Sequence, residues 1–184
     1  MLRRLLKLFG NQYGFTLTEL LIVIAISALI SAGVGTTIYQ IFVVNSKSNS
    51  HMTAVKEVEN AVHWLTRDAQ MAQFNENASA NGTQASPRAF PLELTWNNIY
   101  DNPAVSVNVT YSINGNRLER HYTDNQSVSN TAVVARFINP AGTNWWYSGA
   151  WYGNDLIFNV TANVTGYRPA GETRNFQVVT RSVQ

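Results

Sequence analysis

The feature that most constrains this chain is an apolar run that begins at residue 15 and extends to residue 44. As an α-helix, residues 20–44 would measure roughly 37 Å, which is enough to cross a bilayer. The only acidic or basic side chain in the run is Glu19, near its N-terminal end. A charge close to the bilayer interior costs several kcal/mol unless it is paired, so Glu19 requires a specific role.

Charges outside the run predict how it lies in the membrane. Arg3, Arg4 and Lys7 precede it, and the polar bulk of the chain follows it. The positive-inside rule therefore predicts that residues 1–14 are cytoplasmic and that the C-terminal part lies outside. A secretory signal peptide is the rival interpretation, but such a signal ends at a small-residue cleavage site after a short apolar core. Here the run continues too far, so we expect a single membrane-spanning helix with its N-terminus in the cytoplasm.

Composition excludes several classes of site. The chain has no cysteine, so disulfides and thiolate metal sites are excluded. Three of the 13 Lys and Arg precede the apolar run, and the remaining 10 (13 minus 3) are scattered singly against 11 Asp and Glu. This distribution does not favour nucleic-acid binding. The chain also lacks a nucleophile elbow, metal-spaced histidines and a phosphate loop, so we predict no enzymatic activity, no cofactor and no metal.

Residues 14–19, GFTLTE, followed by the apolar run, resemble the N-terminal motif of type IV prepilins and of the pseudopilins of type II secretion. The resemblance implies that a prepilin peptidase cleaves between Gly14 and Phe15 and methylates the new N-terminus at Phe15. Residues 1–14 would then be a leader, and Glu19 would be the fifth residue of the mature chain, where the family carries its glutamate. Thr18 stands where many relatives carry an apolar residue.

Physical chemistry gives Glu19 a role in filament assembly. Cleavage would leave the α-amino cation of Phe15 in an apolar helix bundle, where an unpaired ion is unfavourable. Glu19 of a neighbouring subunit can neutralise it, and the pair would set the axial register of a helical filament. The alternative is a carboxylate that reaches the bilayer edge without a partner.

Gly33 and Gly35 are the next feature of the run. Glycine weakens a helix by roughly 1 kcal/mol relative to alanine, so the helix could melt here. The resemblance implies such melting when a subunit leaves the membrane for the filament. Many relatives place a proline slightly further on, where this chain has Thr36 and Thr37. The alternative, close packing of membrane helices against small residues, remains open.

The helical pattern continues beyond the membrane. Apolar residues recur at three- and four-residue spacing, which predicts that an amphipathic helix over 45–74 extends the membrane helix over 15–44. The predicted apolar stripe comprises Met52, Val55, Val58, Val62, Leu65, Ala69 and Ala72, whereas Lys56, Glu57, Asn60, Arg67 and Asp68 are predicted mainly on other faces.

The remaining residues, 75–184, predict a β-rich head. A polar loop over 75–87 ends the helix, and the apolar period then changes to two. Strands are predicted at 91–96, 105–113, 117–124, 132–138, 156–164 and 174–181, with a tight hairpin turn at Asn114-Gly115. The expected fold class is α+β, in which a long N-terminal helix packs on an antiparallel sheet as in pilins.

One segment of the head, residues 143–155, is unusually rich in aromatic residues. Such clusters can form adaptable contact surfaces, or they can cover one end of a sheet core, and the second interpretation is favoured. Adjacent strand residues point to opposite faces, so one of two neighbouring rings should face outward in either case. The candidate contact residues are Trp145, Trp146, Tyr147, Trp151 and Tyr152.

Together these features predict a structural subunit of a type IV pilus-like filament or a type II secretion pseudopilus. The head pattern resembles J-type minor pseudopilins and related minor pilins through "HWLTRDAQMAQ", "YSINGNRLERHY" and "VVARFI". This resemblance implies a minor subunit that initiates assembly or occupies the tip. The alternatives are a major pilin and an adhesin-like pilin whose aromatic segment binds a surface or glycan.

The resemblance also implies the partners and the location of such a subunit. The partners would be other pilin or pseudopilin subunits, the prepilin peptidase, inner-membrane assembly machinery and, before assembly, membrane lipid. The subunit would first lie in the inner membrane and then in a filament at the cell surface or in the periplasm.

Overall fold

A computed structural model describes residues 14–74, 86–98, 104–148, 155–166 and 168–182. It contains one long helix, α1 (Leu17–Met71), followed by antiparallel sheets of four and three strands. The predicted α+β, pilin-like fold class is therefore confirmed. The chain divides after Asn45 into two compact units.

The first unit consists of the N-terminal part of α1. Its large apolar side chains are mostly exposed, including Leu29 at 74% and Phe42 at 71%. Among the residues that the structure describes, α1 is the one helix long and apolar enough to cross a membrane, judged by length and composition. Contact between so much apolar surface and water is energetically unfavourable, so this surface is suited to contact with lipid or with other apolar helices.

The second unit contains the C-terminal part of α1, which buries one face. The buried residues Ala54, Val58, Ala61, Leu65 and Asp68 follow a spacing of four and three, and Ala69 and, just after the helix, Ala72 are buried beside them. The predicted stripe holds at Val58, Leu65, Ala69 and Ala72, whereas Met52 is 54% exposed. The prediction that Asp68 lies on a polar face is wrong, because it is only 2% exposed.

The larger sheet has the strand order β2-β3-β4-β5 and is antiparallel throughout. Its strands are β2 (Leu92–Asn98), β3 (Val105–Asn114), β4 (Arg117–Asp124) and β5 (Ser129–Ala135). Alternate residues of β3 are buried, as expected for a sheet with one face on the core and one in water. Strand β5 begins at Ser129, three residues before the start predicted at residue 132.

A tight hairpin joins β3 to β4, as predicted from Asn114-Gly115. Asn114 pairs with Arg117, so the two loop residues are Gly115 and Asn116. Gly115 has a φ of 62°. Glycine at the first loop position, with positive φ, is the arrangement of a type II′ hairpin, whose twist matches that of the flanking strands.

The smaller sheet has the order β6-β7-β8 and is also antiparallel. Its strands are β6 (Asn144–Ser148), β7 (Asp155–Val164) and β8 (Ala170–Val179). A short 3₁₀ turn, Pro140–Gly142, precedes β6. The sequence did not predict β6, which lies within the aromatic segment.

The remaining strands, β1 (Gln73–Phe74) and β9 (Arg181–Ser182), form a parallel pair that the expected antiparallel arrangement did not include.

The larger sheet, the smaller sheet and the C-terminal part of α1 all contribute to one hydrophobic core, which includes Leu65, Tyr111 and Phe158. Polar contacts fix the helix on this core at three places. Asp68 contacts β3 and β4, Glu57 accepts a hydrogen bond from the backbone N–H of Arg136, and Glu59 forms an ion pair with Arg174 on β8.

Candidate processing and assembly site

The start of α1 is fixed by Thr16. Its Oγ1 accepts a hydrogen bond from the backbone N–H of Glu19 at 3.3 Å, and its carbonyl accepts one from Leu20 at 3.2 Å. A threonine followed three residues later by glutamate is the sequence pattern of a capping box. Thr16 therefore satisfies one of the free amides of the first turn and places Glu19 within that turn.

The predicted cleavage junction lies just outside the helix. Gly14 and Phe15 precede α1, and the Phe15 side chain is 79% exposed. A β-carbon on Gly14 would meet no heavy atom within 4 Å, and the φ of Gly14 is not in the left-handed region. The described fold thus gives no conformational reason for glycine at this position.

The side chain of Glu19 is exposed in the first turn of α1. Within the described part of the chain, its carboxylate accepts no hydrogen bond and forms no ion pair; only its backbone amide takes part in the cap. The positive end of the helix dipole favours a carboxylate in this turn. The carboxylate also remains available to a cation from outside the chain.

Gly33 carries an unusual pair of hydrogen bonds. Its carbonyl accepts the hydroxyl of Thr36 at 2.8 Å and that of Thr37 at 2.9 Å. Threonine hydroxyls that bond back to a carbonyl in the preceding turn compete with the backbone ladder and bend helices. Two glycines and two such hydroxyl bonds therefore fall within one short stretch of α1, residues 33–37.

The aromatic segment divides between two faces of β6. Trp145 is only 7% exposed, its ring centroid lies 5.5 Å from that of Tyr147, and the Arg88 guanidinium lies 5.6 Å above its ring. Burial raises the pKa of Tyr147 to about 12, against an opposing effect of Arg88. Trp146 is half-buried and points to the opposite face. Trp151 and Tyr152 lie outside the described residues, so Trp146 is the described ring that faces away from the core.

A buried polar cluster joins α1 to the larger sheet. Asp68 accepts hydrogen bonds from the Tyr111 hydroxyl at 2.5 Å and from Arg120 Nε at 2.6 Å, and a second one from Arg120 Nη2 at 3.2 Å. Burial, followed by the charge of Asp68, raises the pKa of Tyr111 above its ordinary range. Burial alone lowers the pKa of Arg120, but its hydrogen bond to Asp68 and the attraction of that carboxylate raise it overall.

A groove of about 370 Å³ opens beside this cluster, between α1 and the larger sheet. Sequence reasoning did not identify it. Six of its lining residues fall in "HWLTRDAQMAQ" and "YSINGNRLERHY", the segments noted for family resemblance, whereas Trp96, Val105 and Val107 lie outside both. Among the described residues, no group of three or more His, Asp or Glu is placed to hold a metal ion.

Comparison with known proteins concerns the N-terminal segment. Residues 10–35 match the family model described as the prokaryotic N-terminal methylation motif, a type IV pilin hallmark. No curated protein and no solved structure matched the chain. The prediction of a prepilin-type N-terminus is confirmed, and the match ends at residue 35, before the head.

The motif supports a subunit of the type IV pilin or pseudopilin class. It points to a structural subunit that assembles with other pilin subunits and is processed by a prepilin peptidase. The motif and the apolar N-terminal helix fit a membrane-anchored pilin that later joins a filament.

Proposed function

We propose that this chain is a minor subunit of a type IV pilus-like filament or a type II secretion pseudopilus, and that it initiates assembly or occupies the tip. The observation that carries the proposal is the arrangement around Thr16, in which an exposed Gly14–Phe15 junction precedes a capped helix. The Glu19 carboxylate in the first turn of this helix has no partner among the described residues. The minor role is supported by the resemblance of the head pattern to minor pseudopilins.

The junction is suited to proteolysis. A peptidase must bind its substrate in an extended form, and Gly14 and Phe15 lie before the first residue of α1. Since the fold does not require glycine at residue 14, recognition by the peptidase is the simplest reason for it. Cleavage there removes Arg3, Arg4 and Lys7, whose charges would otherwise hold the N-terminus on the cytoplasmic side.

Cleavage also creates the cation that Glu19 lacks. The new α-amino group of Phe15 would lie close to the positive end of the helix dipole, where a second positive charge is unfavourable. In an apolar bundle, a carboxylate from a neighbouring subunit stabilises this cation, and the geometry of the pair restricts the axial position of the subunit. Each subunit then offers one cation and one carboxylate, which is what repeated addition along a filament needs.

Weakening of α1 at Gly33 and Gly35 fits the same role. A subunit that moves from lipid into a bundle meets new neighbours, and a helix with one weak turn can adjust to them. The Thr36 and Thr37 hydroxyls compete with backbone N–H groups for the Gly33 carbonyl, so this turn opens at a lower cost than a turn held by backbone hydrogen bonds alone.

The test is quantitative mass spectrometry of filaments sheared from the native host. We expect an N-terminal peptide that begins with N-methylated Phe15, at a small fraction of the abundance of another subunit. The same peptide as the dominant species would make the chain a major pilin. An uncut chain that begins at Met1 and stays in the membrane would overturn the filament role.

A further inference from the structure

The groove beside the Asp68 cluster has an apolar floor and aromatic walls. Trp64 and Met71 come from α1, and Trp96 and Tyr122 come from β2 and β4, while two valines of β3 complete the floor. Trp96 is 9% exposed, and the other three side chains are half-buried. Tryptophan, tyrosine and methionine in a concave site are the residues that interfaces use to bury an anchor side chain.

Arginine side chains give the groove its charge. Among the described residues that line it, Arg120 and Arg67 are the basic groups and Asp68 is the acidic one. These two guanidiniums against one carboxylate give the described lining a net positive charge. Asp68 is already hydrogen-bonded to Arg120 and Tyr111, so it does not neutralise Arg67.

Arg67 lies at the rim of the groove, against the ring of Trp64. Its side chain is exposed, and its guanidinium carbon lies 5.8 Å from the centroid of the Trp64 ring. Over the described ranges of the chain, Arg67 forms no ion pair. A guanidinium that an aromatic face positions in advance loses less conformational entropy when it binds a carboxylate.

The shape and charge together select one class of occupant. We propose that this groove binds an acidic peptide segment of a partner protein, with an aromatic or large aliphatic side chain in the groove and a carboxylate on Arg67. A sugar ring suits the site less well, because Arg67 and Arg120 already lie over the Trp64 ring on which a sugar would stack. A basic segment would be repelled by Arg67.

All described residues that line the groove lie in the second unit, on the C-terminal part of α1 and on the larger sheet. Binding to the groove does not depend on cleavage at Gly14 or on filament assembly. Failure of one proposal therefore leaves the other untouched, because N-terminal mass spectrometry and binding to the groove are separate measurements.

The test uses the full chain in zwitterionic detergent micelles, with ¹⁵N in the indole rings of its 5 Trp residues. The probe is the peptide acetyl-Asp-Glu-Phe-Glu-Asp-amide, and single Trp→Phe variants assign the NMR signals. We expect the probe to shift the signals of Trp64 and Trp96 saturably, and to leave those of Trp145 and Trp146 in place. Added salt should weaken the binding, because the Arg67 contact is exposed.

Two comparisons separate charge from the apolar anchor. Arg67→Gln should weaken binding roughly two- to fivefold, the range of an exposed ion pair, whereas the matched variant Arg117→Gln on the exposed hairpin should leave it unchanged. Replacing Phe by Ala in the probe should weaken binding by about tenfold, since the anchor supplies the buried apolar area.

Three results would overturn the proposal. The first is an absence of saturable shifts at Trp64 and Trp96, and the second is equal binding of the probe in which lysine replaces every acidic residue. The third is a shift of these two signals with protein concentration alone, which would assign the groove to a second copy of the chain.

Discussion

The Asp68 carboxylate and the Arg120 guanidinium form an ion pair at 2.6 Å between α1 and β4, and the Asp68 side chain is only 3% exposed. Such a pair has little water to screen it, and the carboxylate gains a further hydrogen bond from Tyr111. A buried pair adds little net stability over an apolar substitute, but loss of one partner leaves an uncompensated charge. The pair therefore fixes the position of α1 on the sheet more than it raises stability.

Asp68→Ala should lower the free energy of unfolding of the head by about 3 kcal/mol, because Arg120 and the Tyr111 hydroxyl would lose their buried partner. Urea unfolding of the full chain in micelles, followed by the near-ultraviolet circular dichroism of the head, measures this difference. The matched control is Glu59→Ala, which removes the exposed pair with Arg174 at 3.3 Å and should cost less than about 1 kcal/mol. Equal losses from the two variants would contradict the role assigned to burial.

Alkaline pH should destabilise the head through Tyr111. Its pKa is raised in the folded chain by burial and by Asp68, from an ordinary value of 10.0, so the unfolded chain loses this proton first as pH rises. Stability from this group is complete below about pH 10 and falls above it, with a slope of up to about 1.4 kcal/mol per pH unit. Tyr147 acts in the same direction.

Tyr111→Phe tests this dependence because it removes the titrating group and keeps the ring. The variant should be less stable than the parent at neutral pH, since Asp68 loses a hydrogen bond, and its stability should fall less steeply above pH 10. Urea unfolding at a series of pH values from 8 to 11 compares the two slopes. Identical slopes would show that Tyr111 does not titrate differently in the two states.

The N-terminal half of this molecule was more predictable than the head because its signals are local. The motif at residues 14–19 can be found from neighbouring residues alone. Within the head, the hairpin at Gly115 is predictable for the same reason. The position of Asp68 cannot, since a carboxylate is buried only when Tyr111 and Arg120, more than forty residues away, supply its partners. Helical periodicity alone therefore assigned it to a polar face.

Other misses have the same physical origin. Ala54 and Ala61 are fully buried, although alanine is too weakly apolar to mark a core face in a sequence pattern. Strand β6 was missed because its aromatic residues also suit a loop, and its pairing with β7 is a nonlocal property. The groove follows from packing between α1 and the larger sheet, so its lining could be assembled only from the tertiary structure.

Gly14→Ala should block removal of the leader without disturbing the fold. A β-carbon at this position meets nothing within 4 Å, so any loss of processing reflects recognition by the peptidase and not a structural defect. Mass spectrometry of the N-terminal peptide from the native host reads the result. The matched control is Gly10→Ala, a second glycine substitution in the leader, which should be processed like the parent. Normal processing of the Gly14 variant would show that the peptidase does not require glycine at residue 14.

Gly33→Ala should stabilise α1 locally by about 1 kcal/mol, and so should Gly35→Ala. Neither new β-carbon would meet a heavy atom within 4 Å, so the gain in helix propensity is not offset by a clash. Amide hydrogen exchange of the chain in micelles should slow by about fivefold near these residues. Ala32→Gly provides the reverse control and should speed exchange in the same turn. Unchanged exchange in all three variants would show that this turn is not the weak point of α1.

Glu19→Ala should leave membrane insertion intact and lower incorporation into filaments by at least about tenfold, the effect of losing roughly 1.4 kcal/mol at the subunit contact. Insertion should persist because the substitution makes the apolar run more apolar, and the cap should persist because Thr16 bonds the backbone amide of residue 19. Membrane fractionation and the abundance of the chain in sheared filaments measure the two properties. Glu19→Gln separates charge from hydrogen bonding: it keeps an acceptor in the first turn but cannot neutralise the Phe15 amine. If the glutamine variant assembles like the parent, pairing of charges between subunits is not what requires Glu19.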